Sequence, residues 1–550
     1  MTRISAPLHR QIEPELQLID VWSAMAIPSF RVVGLPGQEI IESCERVRAA
    51  IEASGMEFPR KRVLVNLSPA GVRKQGTGTD LAIALAVIHS SWSAGSRSEE
   101  SRLIVASGEL ALDGSVRSAG RVLRACWAAV VAGASDLILA VEDSNTARSA
   151  IALIQQARDT PLRLQVHLVG SLVEVLPILE YPVKVRLMPP DTTPDRDEVP
   201  MDLLPLQPSL ERDLATASAG AHHLLLIGPK GTGKTAALQW LQALQATLGP
   251  KELLDRLLLE ELVEPGPPDF AQRAPLRIVP PQVRPEALVG GIHRGELRPG
   301  EFSQAHGGAL IADEFLEWPR DSRECLRDPM ETGRLQLTRS QRSIELPARF
   351  QLAASANLCR CGGWPRAWSR TRELLSSEPP AFCQCTDQSR TDYLSRLSGP
   401  ILDRIDIVRL VLQKPFARHS ESTPPEQLRE ETARCRTLLL QHWGASSGRL
   451  SGAQIEEILR DEPAIVRNWN EVRRPTETSL RRRHKEIRVA LTLASWDQIR
   501  GAHQGPIPTR SHFEEASSGS ADSWIHTLSR TELRRSATGK SRIDPGPAAV

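Results

Sequence analysis

The stretch that decides the fold is HLLLIGPKGTGKTAALQWL, residues 223–241. Its middle fits G-x-x-x-x-G-K-[ST], the P-loop pattern, in which glycines let backbone N–H groups surround a polyphosphate. The apolar run before the loop predicts a buried strand and the run after it predicts a helix, as the motif requires. The alternative is a chance match in a glycine-bearing loop, which the correct flanks disfavour. The pattern predicts a nucleotide site at Gly228, Pro229, Lys230, Gly231, Thr232, Gly233, Lys234 and Thr235.

Two residues of the P-loop have specific expected roles in binding ATP. Lys234 is expected to reach the β- and γ-phosphates, and the Thr235 hydroxyl is expected to bind Mg²⁺. Downstream, ALIADE at residues 309–314 is a short apolar run ending in two acids, the Walker B arrangement. Asp313 is then predicted to hold Mg²⁺ through water, and Glu314 to orient the attacking water. Such a run alone usually marks a strand entering a solvated loop, but behind a P-loop we favour the catalytic interpretation.

A third apolar run, FQLAASA at residues 350–356, ends at Asn357. A polar residue there is typical of the sensor of AAA+ ATPases, which helps to position the hydrolytic water beside the γ-phosphate. The alternative is an asparagine at a strand end that satisfies a turn.

The composition indicates a soluble globular protein, because 41% of the 550 residues are hydrophobic and 24% are charged. A net charge of +2 points to no particular partner, and 4% aromatic residues argue against a base-stacking surface. No apolar run approaches a membrane span and residues 1–10 lack the core of a signal peptide, so we expect a cytoplasmic protein without a membrane partner.

The predicted fold class is α/β, in three parts and a tail. Residues 1–182 form an α+β domain, 183–202 a proline-rich linker, 203–413 a three-layer α/β core around a parallel sheet, 425–503 a helical domain and 504–550 a mostly disordered tail. Strands are predicted at 30–34, 62–67, 103–105, 137–141 and 164–168, and helices at 40–54, 80–91, 425–443, 451–459 and 479–496.

Several longer stretches resemble the magnesium-chelatase-like AAA+ family, of the ComM/YifB type, from about residue 29 to residue 495. They are PSFRVVGLP at 28–36, ERVRAAIEASGMEFPRKRVLVN at 45–66, GELALDGSV at 108–116, PGEFSQAHGGALIADE at 299–314 and YLSRLSGPILDRIDI at 393–407. The resemblance implies a homo-oligomeric ring ATPase, expected to be a hexamer, in which an arginine of one subunit reaches the nucleotide of the next.

The resemblance assigns roles to two arginines. Arg404 lies where the arginine finger falls, with Arg396 as a weaker candidate, because a planar cation stabilises charge on phosphoryl oxygens. The alternative is a surface ion pair of Arg404 with a neighbouring aspartate, Asp403 or Asp406. Arg481 resembles the second sensor of the C-terminal lid and is expected to touch the γ-phosphate in cis. A basic helix face that is solvated or contacts nucleic acid is the alternative.

The N-terminal domain resembles the proteolytic domain of Lon, which uses a serine activated by a lysine. This chain has Gly78 at the serine position and an apolar residue near the lysine position, around Leu123. We therefore expect no protease activity, and instead a platform for assembly or for protein partners.

Four of the eight cysteines form two C-x-C pairs, which could close a tetrahedral Zn²⁺ site. They are Cys359, Cys361, Cys383 and Cys385, and they bracket an insert at 359–385. Proteins of the ComM type show the same pairs, which favours zinc, with reduced and unliganded cysteines as the alternative.

The resemblance also places a glycine-rich basic loop, residues 290–300, toward the centre of the ring. Arg294 and Arg298 in this loop, and Arg339 and Arg342 on a following predicted hairpin, are the cations that backbone-tracking DNA binding needs. A solvated surface loop is the alternative.

Three classes of function remain. The resemblance implies ATP-driven remodelling of DNA, by branch migration or strand handling in recombination and natural transformation. A chelatase-type motor subunit, which remodels a partner protein for Mg²⁺ insertion into a porphyrin, is the alternative, although such subunits lack the N-terminal domain. A non-hydrolysing scaffold is disfavoured because the ATPase residues are all present.

Overall fold

The computed structural model describes residues 2–8, 13–69, 77–92, 102–159, 161–180, 203–264, 266–293, 296–339, 342–363, 383, 385–411, 422–473 and 478–519. Both strands and helices occur as far as residue 411 in these ranges, and only helices follow. None of the helices described there is long and apolar enough to cross a membrane.

The first 180 residues build a seven-stranded mixed sheet in the order β3-β4-β2-β1-β5-β8-β9. Strand β2 is antiparallel to both of its neighbours, and the other pairs are parallel. The strands are β1 Arg3–Leu8, β2 Glu15–Ala24, β3 Ser29–Val33, β4 Arg62–Ser68, β5 Leu103–Ala106, β6 Glu109–Leu110, β7 Val116–Arg117, β8 Asp136–Ala140 and β9 Gln165–Val169. The helices are α1 Gln38–Ala53, α2 Asp80–Trp92, α3 Val122–Val131, α4 Ser144–Arg158 and α5 Leu176–Glu180. The five predicted strands and two predicted helices of this region are confirmed, and β1 and β2 were not predicted.

A second sheet of five parallel strands, in the order β11-β14-β17-β10-β18, forms the middle of the chain. Its strands are β10 Leu224–Ile227, β11 Leu276–Val279, β14 Ala309–Ala312, β17 Gln351–Ala356 and β18 Ile407–Leu410. Strands β10, β14 and β17 are buried throughout, as expected for short apolar runs with helices on both faces of the sheet. The predicted parallel α/β core is thereby confirmed.

Ten helices and two hairpins surround this sheet in the described residues. The helices are α6 Pro208–Gly220, α7 Lys234–Leu238, α8 Trp240–Leu244, α9 Pro250–Val263, α10 Pro285–Val289, α11 Glu301–Gln304, α12 Arg320–Glu324, α13 Arg327–Thr332, α14 Asp387–Leu394 and α15 Gly399–Leu402. The hairpins pair β12 Gly290–His293 with β13 Glu296–Pro299, and β15 Arg334–Arg339 with β16 Arg342–Pro347.

The C-terminal helices pack on the central core through one apolar cluster, which joins Leu214 and Leu224 to Leu439 and Ile487. They are α16 Pro425–Trp443, α17 Gly452–Asp461, α18 Pro463–Asn470, α19 Leu480–Ile499 and α20 Arg510–Ser518. The three predicted helices are confirmed, and α18 was not predicted.

Helix α20 lies within residues 504–550, which the sequence predicts to be mostly disordered, and it is an ordered part of that segment. Phe513 and His512 are buried, and the Arg212 guanidinium pairs with Asp497 and Glu515 across the C-terminal helices and α6. A buried aromatic side chain and a shared guanidinium hold this helix on the core. Residues 520–550 lie outside the described residues.

The two sheets share a buried polar contact between α9 and α3. The Glu261 carboxylate accepts the backbone N–H groups of Leu123 and Arg124, at 3.1 and 3.0 Å. The Arg124 guanidinium donates to the Leu258 carbonyl at 2.7 Å. Burial raises the pKa of Glu261 to about 7 against the opposing effect of Arg124 and these N–H groups. The N-terminal sheet is therefore anchored to the central core through the first turn of α3.

Candidate nucleotide-binding site

The predicted ATPase motifs meet at one edge of the central sheet. Strand β17 lies between β14 and β10, and all three are parallel. Because the carboxyl ends of parallel strands share an edge, the residues that follow them lie side by side. Asp313 follows β14, Asn357 follows β17 and the P-loop follows β10.

The P-loop glycines are needed by its backbone. Gly231 and Gly233 have φ of +78° and +84°, the left-handed region that side chains disfavour. Gly228 passes so close to Val411, the residue after strand β18, that a Cβ would lie 2.0 Å from the Val411 carbonyl oxygen. Helix α7 begins at Lys234, so the loop ends at a helix N-terminus, as phosphate binding favours.

The Lys234 ammonium lies inside the loop and links it to the next motif. It donates to the carbonyls of Gly228 and Pro229 at 3.0 and 2.8 Å, and to Asn357 Oδ1 at 3.3 Å. Burial lowers the pKa of Lys234 to about 8, although Asp313 and Glu314 act in the opposite direction. Phosphate oxygens could replace these carbonyls as partners of the ammonium.

Thr235 and Asp313, the two predicted Mg²⁺ residues, are in direct contact. The Thr235 hydroxyl donates to Asp313 Oδ1 at 2.7 Å. A hydroxyl and a carboxylate are the hard oxygen donors that Mg²⁺ prefers, so these residues fit the ion.

Sequence reasoning missed Ser355, which joins both Walker B acids. Its hydroxyl donates to Asp313 Oδ1 at 2.5 Å and accepts the backbone N–H of Glu314 at 3.0 Å. The available signal was a single hydroxyl in a fully buried strand whose only other polar side chain is Gln351.

Glu314 stands in a strained turn at the end of β14. Its φ is +45°, which is uncommon for a residue other than glycine, and its side chain is exposed. Such strain persists where surrounding structure enforces it, and it is concentrated at functional sites.

Arg404 and Arg481 lie together at the opposite edge of the sheet. Arg404 precedes β18, so it stands at the amino end of a strand parallel to β10. Both guanidinium groups bind the Glu331 carboxylate, Arg481 at 3.0 Å. They line a cavity of about 520 Å³, whose other cationic residues are Arg349, Arg449, Lys485 and Arg488.

This placement corrects the expectation that Arg481 touches the γ-phosphate of its own subunit. The P-loop follows the carboxyl end of β10, whereas Arg481 lines a cavity with His223 and Arg404 at the amino end. The four residues of β10 span about 13 Å. The reason is the packing of α19, whose Lys485 donates to the carbonyls of Leu402 and Ile405 ahead of β18.

The contacts of Arg404 and Arg396 bear on the other predictions for arginines. The described partners of Arg404 are the Pro400 carbonyl and Glu331, instead of the neighbouring aspartates. Asp406 accepts the His223 backbone N–H at 3.0 Å. Its burial acts to raise its pKa, but the neighbouring His222 and His223 outweigh this effect and lower the pKa to about 2. Arg396 lies beside the Walker B turn, where it donates to the Leu316 carbonyl at 3.1 Å.

Both basic segments form hairpins. Gly290 and Gly300 close the first hairpin so tightly that a Cβ on either would lie 2.3 Å from opposing backbone atoms. Arg298 on β13 is exposed, and Arg294 lies outside the described residues. The second hairpin is confirmed, with Arg339 paired to Arg342 at its end, and their side chains lie outside the described part.

The four cysteines of the two C-x-C pairs form one cluster, with all sulfur atoms within 4.8 Å of one another. The Sγ–Sγ distances are 3.4 Å between Cys359 and Cys361, 3.5 Å between Cys361 and Cys383, and 3.6 Å between Cys359 and Cys383. Four sulfurs at about 2.3 Å from a tetrahedral zinc lie about 3.8 Å apart, so the cluster fits that ion. The Gly363 N–H, which donates to Cys361 Sγ, lowers the pKa of that thiol to about 6.

The two positions predicted to correspond to the serine and the lysine of the Lon dyad carry neither a nucleophile nor an amine. Gly78 lies in the turn before α2, and Leu123 is fully buried in α3.

Two family models match the chain. The model described as magnesium chelatase, subunit ChlI, matches residues 204–418. The model described as subunit ChlI of Mg-chelatase matches residues 19–143. The first covers the central sheet, including the P-loop at its carboxyl edge and Arg404 at its amino edge. The second covers much of the N-terminal sheet.

Three relatives resemble the chain over most of its length. The protein YifB of Salmonella typhimurium is 34% identical over 392 residues, 71% of each chain. The protein Rv2897c of Mycobacterium tuberculosis is 32% identical over 499 residues, 88% of this chain and 93% of the relative. The competence protein ComM of Haemophilus influenzae is 29% identical over 498 residues, 88% of this chain and 91% of the relative.

Proposed function

Because the chain belongs to the magnesium-chelatase-like family together with the YifB proteins and ComM, we propose that it is an ATP-hydrolysing AAA+ motor acting on DNA. The observation that carries the ATPase proposal is the meeting of Lys234, Thr235, Asp313 and Asn357 at one sheet edge. These residues follow three neighbouring strands and supply a cation, two oxygen ligands for a metal ion and an amide around one loop.

Each residue has a defined task in hydrolysis. Lys234 exchanges its carbonyl partners for phosphate oxygens and stabilises their charge. Thr235 and Asp313 hold Mg²⁺, which supplies charge neutralisation at the phosphates when it is bound. Glu314 orients the attacking water, Asn357 holds the lysine and that water in register, and Ser355 positions the two acids.

The ring proposal follows from the two separated edges. Arg404 and Arg481 lie together, away from their own P-loop, so we assign both to the nucleotide of a neighbouring subunit. In a hexamer with head-to-tail contacts, the amino edge of one sheet meets the carboxyl edge of the next. Glu331 then holds both arginines until the neighbouring phosphates replace it.

The flanking regions complete the motor. We assign residues 1–182 to a Lon-protease-like domain without protease activity that serves assembly or protein partners, 183–202 to a linker, 203–413 to the ATPase core and 425–503 to a helical lid. The insert 359–385 is assigned to a zinc site of four thiolates, supported by their sulfur spacing.

Two observations support action on DNA, namely the name of one relative and an exposed arginine on a hairpin. ComM is named as a competence protein, and the exposed Arg298 lies on a hairpin beside the core. A cationic loop that faces a ring's centre would track a phosphate backbone without reading its sequence. Branch migration or strand remodelling is the activity that such a ring would perform.

The test is ATP hydrolysis by the full chain with no DNA, with single-stranded DNA and with branched DNA. We expect hydrolysis that DNA stimulates and that Glu314→Gln abolishes. Hydrolysis indifferent to DNA across salt concentrations would overturn the DNA proposal. It would favour a chelatase-type motor that remodels a partner protein, which the descriptions of both matching family models support.

A further inference from the structure

The cysteine cluster is joined to the nucleotide site by a segment of only six residues, 357–362. At its start, Asn357 accepts a hydrogen bond from Lys234 Nζ at 3.3 Å. At its end, the Gly362 carbonyl accepts the Lys230 backbone N–H at 2.8 Å. Cys359 and Cys361 lie between these two contacts, so the segment that carries two of the thiols touches the P-loop at both ends.

The contact at Gly362 leaves no room for adjustment. Gly362 has φ of +73°, and a Cβ there would lie 2.8 Å from the Lys230 Cβ. Its own N–H donates to the Cys359 carbonyl at 3.0 Å, which closes a turn around the first C-x-C pair. A shift of this turn would therefore move the P-loop backbone or break its hydrogen bond.

The other two thiols come from the far end of the insert and fix this turn from outside. Cys383 is buried against Cys359, and the Cys385 carbonyl accepts from Arg390 on α14 at 2.9 Å. A metal ion shared by both pairs would cross-link the 357–362 segment to the start of α14. Without it, four thiol groups in mutual contact supply no comparable restraint.

We propose that Zn²⁺ bound by Cys359, Cys361, Cys383 and Cys385 holds the P-loop in its nucleotide-binding shape, so that ATP affinity depends on this metal. The inference deepens the proposed function and rests on it. Zinc would act only by fixing the position of the 357–362 segment. This would preserve the hydrogen bonds between the Gly362 carbonyl and Lys230 and between Asn357 and Lys234, and zinc takes no part in hydrolysis.

The test measures zinc content and nucleotide affinity separately in the full chain. Zinc is counted by mass spectrometry of the metal, and affinity is measured with a fluorescent ATP analogue. We expect about one zinc per chain, and we expect the double variant Cys361→Ser/Cys383→Ser to lose it and to bind the analogue about tenfold more weakly. Cys325→Ser, outside the cluster, is the matched control and keeps both properties.

A second pair of variants changes the coupling and leaves the thiols intact. Gly362→Ala is expected to keep its zinc and to bind the analogue about fivefold more weakly, the effect of one disturbed hydrogen bond. Gly444→Ala is the control, because Gly444 has the same φ of +73° with no atom within 4 Å of a Cβ. Equal effects of the two substitutions would reduce the result to backbone strain and overturn the inference.

The outcomes separate this inference from the function it rests on. A wild-type chain that binds no ATP analogue contradicts the proposed function itself. A wild-type chain that binds the analogue but holds no zinc overturns the inference alone, as does loss of zinc at unchanged affinity.

Discussion

At the scale of single residues, the site is held together by hydrogen bonds that link the P-loop, Asp313 after β14 and residues on or after β17. Lys234 bonds to carbonyls of its own loop and to Asn357, and its burial keeps its pKa near 8. Asp313 is held by two hydroxyl donors, Thr235 and Ser355. Both residues are thus held in position by groups of the protein itself.

The lowered pKa of Lys234 predicts a pH-dependent affinity for ATP. Without nucleotide, Lys234 is mainly an ammonium below about pH 8 and mainly a neutral amine above it. Bound phosphates raise the pKa of Lys234, so above pH 8 the amine must take up a proton when ATP binds. Affinity is expected to be flat below pH 8 and to fall toward about tenfold per pH unit above it. Titration calorimetry at pH 8.5 in two buffers of different ionisation heat should show proton uptake, absent at pH 7. No uptake at either pH would contradict this pKa.

Replacing Ser355 tests its role in positioning the Walker B acids. Ser355→Ala removes one donor to Asp313 and leaves the Glu314 N–H without this acceptor, so kcat is expected to fall about tenfold with a smaller change in ATP affinity. Steady-state hydrolysis separates kcat from KM. Ser495→Ala is the control, because that buried hydroxyl bonds only within α19 in the described structure. Equal kcat values for the two variants would refute the assignment.

At the scale of elements, the hairpin of β12 and β13 is the segment that we propose contacts DNA. Its register pairs Gly291 with Arg298, and the tight closure at Gly290 and Gly300 makes its base rigid. A rigid base aims an exposed cation in one direction, as a contact in a channel requires.

Arg298→Ala is expected to weaken DNA binding uniformly across sequences and to reduce the salt slope by about 1, because one phosphate contact is lost. The measurement is fluorescence anisotropy with labelled single-stranded DNA at several salt concentrations. Arg117→Ala, which removes an exposed arginine from β7, should leave the slope unchanged. An identical slope in both variants would remove this hairpin from the DNA surface.

At the scale of the whole molecule, the two edges of the central sheet carry the two groups of residues that we propose form a shared ATPase site. The carboxyl edge holds the P-loop and the Walker B acids, and the amino edge holds Arg404 and Arg481 with Glu331. Within one chain, the P-loop and the Walker B acids lie together, and Arg404 and Arg481 lie together, but the two groups are on opposite edges of the sheet. Activity is therefore expected to require contact between subunits.

Mixing two inactive variants tests this arrangement. Arg404→Ala keeps an intact P-loop and Lys234→Ala keeps its arginine, so a mixed ring contains some complete sites. An equal mixture is expected to recover about a quarter of wild-type hydrolysis, since that fraction of neighbouring pairs is productive in random head-to-tail assembly. Each variant alone is the control. Failure to recover activity at any ratio, despite mixed assembly shown by native mass spectrometry, would refute a shared site.

Much of the fold and part of the candidate site followed from the sequence. The P-loop pattern, the ALIADE run and the strand before Asn357 predicted three parallel strands, and the structure places their carboxyl ends together. Helix α16 begins and ends where its pattern predicted, at Pro425–Trp443. The C-x-C spacing also identified four thiols that lie in one cluster.

Other features could not be predicted because they join residues far apart in the chain. Glu331 binds Arg481 across 150 positions, and Gly362 meets Lys230 across more than a hundred. Helix α20 is held by Arg212, about 300 residues earlier. No local pattern marks either partner in such contacts.

The sequence by itself determined which motifs meet at the P-loop edge, since strand, loop and helix signals are local and parallel strands align their ends. Only the tertiary structure decided that Arg404 and Arg481 lie at the other edge, that Ser355 holds Asp313 and Glu314, and that the cysteine cluster touches the P-loop. These depend on strand order and on how helices pack, which are set by burial of apolar surface across the whole chain.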